Sequence, residues 1–121
     1  MDSRRETGAI GEKLSVEFLK KRGYKIVSSN YRTTKGELDI IAKKKECLVF
    51  VEVRTKTNLA FGTPEESITP AKMQKLRAMA HNYINTLEKV PELWRIDFVA
   101  VELDERKNLR RIELIENAVG D

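Results

Sequence analysis

The sequence of 121 residues contains one cysteine, one histidine and no long run of apolar residues. One thiol cannot form an internal disulfide or a CxxC redox pair, and one histidine excludes zinc sites built on two or three. The apolar run at residues 48–51 has four residues, far fewer than the ~20 needed to cross a bilayer. The basic N-terminal residues 1–14 precede no apolar stretch. We therefore expect no secretion signal, no membrane span and a reducing, cytoplasmic location.

Charged side chains make up 35% of the chain and give it a formal net charge of +4. Carboxylates, which are plentiful, are hard oxygen ligands suited to Mg²⁺ or Mn²⁺. Residues 1–56 hold 14 basic and 8 acidic side chains, whereas residues 57–121 hold 9 and 11. A basic N-terminal half favours a polyanionic partner, although a soluble surface rich in lysine explains the charge equally well.

Hydrophobic periodicity predicts a single α/β domain over residues 1–121 with the order α-β-β-β-α-β-β. The first helix covers residues 6–22 and ends at Gly23, and the second begins at Thr69 and Pro70. Strands are predicted at residues 24–31, 37–42, 47–56, 94–102 and 109–116. We expect a central mixed sheet with flanking helices.

Two apolar stripes run along the first predicted helix. Their members are Ile10, Leu14 and Phe18 on one side and Ala9, Val16 and Leu19 nearly opposite. This pattern predicts a helix that packs on two sides. Glu12 falls in the second stripe, where burying a carboxylate without a partner is costly.

The hairpin at residues 37–56 combines apolar and charged positions. After Val51 the second strand alternates, which places Glu52, Arg54 and Lys56 on one face. One register sets Asp39 opposite Glu52 and keeps Leu38, Ile40 and Ala42 on the opposite, apolar face. A shift by two residues keeps the same apolar face and sets Glu37 opposite Glu52. Either register brings two carboxylates together.

Facing carboxylates need a compensating interaction. At ~5 Å they repel by roughly 3 kcal/mol at an effective dielectric of about 20, more than the ~0.2–1 kcal/mol of a favourable cross-strand pair. The compensation is a divalent cation bound by Asp39 and Glu52, a shared proton, or the neighbouring cations. An ion-pair cluster of Glu37–Arg54 and Asp39–Lys56 without metal explains the spacing equally well.

Two segments of the hairpin, GELDIIA (36–42) and LVFVEVRTK (48–56), resemble the uncharacterised bacterial YraN-like family. That family is placed in the PD-(D/E)XK, or restriction-endonuclease-like, superfamily. The resemblance extends to residues 11–24, Asn30, residues 61–72 and residues 95–102. It implies a restriction-endonuclease-like core in which Asp39 and Glu52 hold Mg²⁺ or Mn²⁺. Glu12 then completes the site, as in the Holliday-junction resolvases of the same superfamily.

The resemblance also implies metal-assisted hydrolysis of phosphodiester bonds, in which a lysine of the motif orients or deprotonates the attacking water. Here position 54 is arginine. Its guanidinium stays protonated and cannot act as a general base, but it can clamp a phosphate oxygen. Lys56 shares the face of Arg54 and lies ~6.6 Å further along the strand. The substitution therefore affects turnover more than binding.

We therefore predict a metal-dependent endonuclease that acts on nucleic acid, with DNA favoured over RNA. The expected nucleic-acid contacts are Arg32, Lys35, Arg54, Lys56, Lys72 and Lys75. Two other interpretations stay open: a nucleic-acid-binding module of the same fold without efficient cleavage, and a structural adaptor with salt-bridged carboxylates. Paired cuts in a duplex would favour a symmetric homodimer.

Overall fold

The computed structural model describes residues 3–60 and 62–117, and its elements follow the predicted order. The helices are α1 (Ser3–Lys21) and α2 (Pro70–Ile84); the strands are β1 (Lys25–Thr33), β2 (Gly36–Lys44), β3 (Cys47–Lys56), β4 (Leu93–Leu103) and β5 (Leu109–Ile115). The strands form one mixed sheet in the order β1-β2-β3-β4-β5, in which only the β3–β4 pair is parallel. The predicted α/β class is confirmed, and the architecture is consistent with a restriction-endonuclease-like core.

Local sequence signals set one end of each helix. Gly23, with φ of 88°, ends α1, and the Tyr24 N–H donates to the Leu19 carbonyl at 3.0 Å. This is the glycine-terminated helix end predicted from the sequence. At the start of α2 the Thr69 side chain accepts a hydrogen bond from the Lys72 N–H, and Pro70 is the first helical residue. The first turn of α2 is therefore held by its own cap.

The helices cover opposite faces of the sheet. Ile40, Val49 and Val51 belong to the cluster against α1, whereas Ile41 and Phe50 belong to the cluster against α2. Because β3 is covered on both faces, residues 48–53 are all buried, as expected of an interior strand. Neither helix in the described part of the chain is long and apolar enough to span a membrane.

The prediction that α1 packs on two opposite sides is wrong. The most buried residues of the helix form one line of mostly small side chains: Thr7, Gly11, Ser15 and Leu19. Ile10, Leu14 and Val16 pack against the core beside this line, whereas Ala9 is exposed. The two apolar stripes thus border one broad face. Apolar periodicity alone does not reveal this face, because its central residues are mostly small and let the helix backbone approach the sheet.

Gly11 marks the closest approach of α1 to β3. A Cβ at this position would overlap the Thr55 hydroxyl and lie 2.9 Å from Thr55 Cβ. We expect Gly11→Ala to destabilise the protein by about 1–3 kcal/mol, as over-packed sites do. Gly8→Ala is the matched control, because it has nothing within 4 Å in the same helix. It should stabilise the fold by up to ~1 kcal/mol. Equal midpoints for the two variants in urea denaturation would contradict this account.

The hairpin adopts the first of the two predicted registers. Ile40 pairs with Val51 and Ala42 with Val49. However, Leu38 packs in the cluster against α2 although Ile40 packs in the cluster against α1. The expectation that Leu38, Ile40 and Ala42 share a face is therefore wrong.

Side chains along β2 stop alternating regularly between the two faces of the sheet at Asp39. Leu38, on one side of Asp39, and Ile40, on the other, therefore lie on opposite faces. On the adjacent β1, Asn30 lies between the pairs Ser29↔Ile40 and Tyr31↔Leu38 and has a left-handed φ of 53°. An alternation argument assumes an unbroken strand, and it fails where the backbone turns. The Asn30 side chain there donates hydrogen bonds both to Glu12 of α1 and to Glu37.

Candidate functional site

A cavity of about 660 Å³ brings the predicted site residues together. Its walls come from α1, β2, β3 and the start of α2. Four carboxylates line it, Glu12, Glu37, Asp39 and Glu52, together with the cations Arg4, Arg54, Lys56 and Lys72. All three carboxylates that the family resemblance assigns to metal are among them. The charged residues of strands β2 and β3 therefore line the same cavity as residues of helices α1 and α2.

Three of the predicted nucleic-acid contacts lie outside this cavity. Arg32, Lys35 and Lys75 are exposed and do not line it. Arg32 approaches Glu37 with 3.8 Å between Nε and Oε2, and Lys35 lies in the turn between β1 and β2. Lys75 is on α2, one turn after Lys72, and its side chain lies near Gly36. The structure therefore does not bring these three cations into the cavity.

Asp39 takes part in the sheet through its side chain. Its Oδ2 accepts a hydrogen bond from the Val53 N–H at 2.9 Å, beyond the last backbone pair Ile40↔Val51. Burial, repulsion from Glu52 and Glu12, and a hydrogen bond with Glu52 raise the pKa of Asp39 to about 8, against the lowering effect of the Val53 bond. Asp39 therefore holds a proton next to Glu52 at neutral pH, which is one of the compensations expected for paired carboxylates.

Glu52 is buried, with 4% of its surface exposed, and two cations contact it. Lys72 Nζ lies 3.0 Å and Arg54 Nη2 3.2 Å from Glu52 Oε2. Arg54 is the neighbour that the strand pattern suggested. Lys72 comes from α2, and no local pattern could have paired it with Glu52, because the placement of the helix depends on the crossover between β3 and β4.

Glu12 lies at the rim of the cavity with an amide partner. Asn30 Nδ2 donates to Glu12 Oε1 at 2.8 Å and to Glu37 Oε1 at 3.0 Å. Glu12 is half-buried, so its place beside Val16 and Leu19 does not bury it in apolar surroundings. Asn30 entered the sequence analysis only through the family resemblance. Its side-chain donor and its tolerance of left-handed backbone are the signals that could have singled it out.

The ion-pair alternative predicted two specific pairs, and neither forms within residues 3–60 and 62–117. Glu37 approaches Arg32 instead of Arg54, and Asp39 makes no ion pair with Lys56. The shift at Asp39 explains this, because it moves Glu37 to the face of α1 while Glu52 and Arg54 stay on the other face.

The carboxylates fit a Mg²⁺ or Mn²⁺ ion in type and partly in number. No three His, Cys, Asp or Glu side chains in the described chain are grouped so that they could hold a metal as they stand. Asp39 and Glu52 are in contact, and Mg²⁺ commonly binds one or two protein carboxylates and completes its shell with water and substrate phosphate. Glu12 would join this pair only by leaving Asn30.

Arg111 fixes the segment that leads into α2, a contact that sequence reasoning missed. Its guanidinium binds Glu65 through two bonds of 2.8 and 2.9 Å and Glu102 through Nε at 2.7 Å. The hydrogen bond from Arg111 holds the pKa of Glu65 below its usual value. Because Glu65 lies just before α2, this link between the segment and strands β4 and β5 supports the position of Lys72.

The raised pKa of Asp39 predicts how stability depends on pH. The folded protein keeps a proton that the unfolded chain releases near the ordinary value of 3.8. Stability without metal should therefore fall as pH rises from about 5 to about 8. Asp39→Asn removes this titration, so the wild-type thermal midpoint in EDTA should fall relative to that of the variant across the same range. A difference that does not change with pH would contradict the raised pKa.

Comparison with known proteins assigns the chain to a family. The model of the uncharacterised protein family UPF0102 matches residues 11–101. A UPF0102 protein of Dehalococcoides mccartyi is 49% identical over 121 residues, covering 98% of this chain and 97% of its own. One of Caldicellulosiruptor saccharolyticus is 41% identical over 116 residues, covering 96% and 98%. The resemblance to the YraN-like family is thus confirmed, and the chain belongs to the uncharacterised protein family UPF0102.

Proposed function

We propose that this protein is a Mg²⁺- or Mn²⁺-dependent endonuclease that hydrolyses phosphodiester bonds of DNA, with branched DNA as the expected substrate. The main support is the Asp39–Glu52 pair, which lies in one cavity with Arg54, Lys56 and Lys72. Two carboxylates suit a divalent ion, and cations beside them suit the phosphate that the ion would bind. The basic N-terminal half of the chain attracts a polyanion to this side of the molecule.

The side chains of the cavity have separate roles in the proposed reaction. A Mg²⁺ or Mn²⁺ ion held by Asp39 and Glu52 would supply Lewis acidity and a bound water of lowered pKa. To hold such an ion Asp39 would be deprotonated, and Glu12 would join the pair only by leaving Asn30. Arg54 holds a phosphate oxygen and keeps its own proton throughout. Lys56 contacts the same strand of nucleic acid further along the cavity.

Residues outside the cavity hold the substrate on either side of the cut. Arg32, Lys35 and Lys75 contact flanking phosphates, which makes binding dependent on salt concentration. A homodimer places two such sites on one duplex, so that paired cuts become feasible. The protein works in the cytoplasm, where its single thiol stays reduced.

A second candidate is a nucleic-acid-binding module that does not cleave efficiently. Arg54 favours this module, because arginine occupies the position of β3 where the superfamily motif has its lysine. The two cations on Glu52 favour it as well, because they already neutralise one of the proposed ligands.

A cleavage assay with labelled four-way junction, flap and linear duplex separates these functions. The endonuclease should cut the branched substrates with Mg²⁺ or Mn²⁺ and not with EDTA. The binding module should retain DNA at low salt in EDTA and cut nothing with any metal. Neither binding nor cleavage would reject both functions and leave a structural adaptor.

A further inference from the structure

We infer that Lys72, on helix α2, is the catalytic residue that supplies the ammonium group to the scissile phosphate and the attacking water. This inference rests on the proposed endonuclease activity. It moves the lysine function from strand β3, where Arg54 replaces it, to a helix that starts 14 residues after the end of that strand.

The contacts around Glu52 favour Lys72 over the other cations of the cavity. Lys72 Nζ lies 3.0 Å from Glu52 Oε2, and 24% of the Lys72 side chain is exposed, compared with 38% for Arg54. Lys56 lines the same cavity but makes no ion pair with Glu52. Lys72 is therefore the ammonium held closest to the carboxylate pair.

The position of Lys72 is fixed from two sides. Its own backbone N–H donates to Thr69 Oγ1 at 3.1 Å, in the first turn of α2. The segment before that turn is held by the Glu65–Arg111 contact. The backbone is thus held by hydrogen bonds, whereas the four-carbon side chain can swing its ammonium from Glu52 to a phosphate oxygen.

Hydrolysis of the phosphodiester bond requires Lys72 to donate hydrogen bonds as a charged group, but it does not require Lys72 to transfer a proton. The water oxygen forms a bond to phosphorus, the bond from phosphorus to the leaving sugar oxygen breaks, and one water proton ends on that oxygen. Lys72 stays protonated and donates hydrogen bonds to a non-bridging oxygen and to the water. The ammonium carries three donors on a flexible stem and can bind both at once, whereas the donors of Arg54 are fixed in one planar fork.

Kinetics on Lys72→Met test this role. The substitution keeps the length of the side chain and removes its charge. We expect kcat to fall by about 10²–10³-fold, the usual loss for one transition-state donor, with KM changed far less. Lys89→Met is the matched control, since Lys89 is exposed and lies outside this cavity. It should cleave like the wild type.

Two further variants distinguish catalysis from support of the fold. Lys72→Cys should be inactive and should recover activity when 2-bromoethylamine rebuilds an ammonium on it, with treated wild type as the control for Cys47. Lys72→Arg keeps the pair with Glu52 and the fold, and its kcat should fall by less than that of Lys72→Met.

Each outcome decides the inference. Wild-type kcat in Lys72→Met overturns it, and if Lys72→Met does not fold, wild-type kcat in Lys72→Cys before alkylation overturns it. Alkylated Lys72→Cys that stays inactive while treated wild type cleaves also overturns it. If the wild type cleaves no DNA with any metal, the proposed function fails and this inference with it. A cleaving wild type beside a fully active Lys72→Met rejects the role of Lys72 alone.

Discussion

Asp39→Asn is expected to abolish metal-dependent cleavage and to leave the fold intact. The asparagine oxygen can still accept the Val53 N–H, and its neutral amide resembles the protonated carboxyl that lies beside Glu52. What the variant loses is the negative charge that a divalent ion requires. Cleavage should fall by at least about 10²–10³-fold, the loss produced by removing one group that stabilises the transition state.

Single-turnover cleavage of a labelled junction with saturating Mn²⁺ measures this loss, and titration calorimetry with Mn²⁺ measures the binding itself. We expect heat from the wild type and none from Asp39→Asn. Glu17→Gln is the matched control, because it removes one negative charge from an exposed position on α1 that is not part of the cavity. Unchanged cleavage or unchanged Mn²⁺ heat in Asp39→Asn would remove Asp39 from the metal site.

Asp97→Ala is expected to cause the largest loss of stability. Asp97 is fully buried on β4, and its carboxylate accepts hydrogen bonds from Arg95, the Tyr24 hydroxyl and the Asn117 N–H, each at 2.9 Å. Removing the carboxylate leaves the Arg95 charge without its partner in a half-buried position. Breaking such a pair from one side costs about 3–5 kcal/mol, a large part of the 5–15 kcal/mol typical of a whole domain.

Urea denaturation followed by the fluorescence of Trp94 measures this change. The double variant Asp97→Ala/Arg95→Met is the control, because it removes both charges and should be less destabilised than Asp97→Ala alone. If the double variant proves the less stable of the two, the unpaired charge is not the cause. No local pattern joins Tyr24 and Asn117 to Asp97, because both residues are far from it along the chain.

Much of the fold follows from local patterns. The element order was predictable because helical and alternating periodicities distinguish these segments, and the same patterns narrowed the hairpin register to two alternatives. Both registers brought two carboxylates together, and only the one that forms sets Asp39 opposite Glu52. The contact of Lys72 with Glu52 did not, because it depends on how the crossover places α2 against β3.

Two features of the site escaped prediction because they break the rules that the prediction used. The alternation of β2 changes at Asp39, where a side chain accepts the bond from Val53. The face of α1 toward β3 is lined by Thr7, Gly11 and Ser15, which a count of apolar residues does not register. Neither feature is visible to a rule that reads only the periodicity of apolar residues.

Position 30 has to meet two chemical demands at the same time. The backbone there has a left-handed conformation, and one side-chain amide bridges Glu12 and Glu37. Glycine would satisfy only the conformation and glutamine only the donor, while aspartate would bring a third negative charge to the pair. Substitution at this position is therefore far more restricted than its exposure on the surface would suggest.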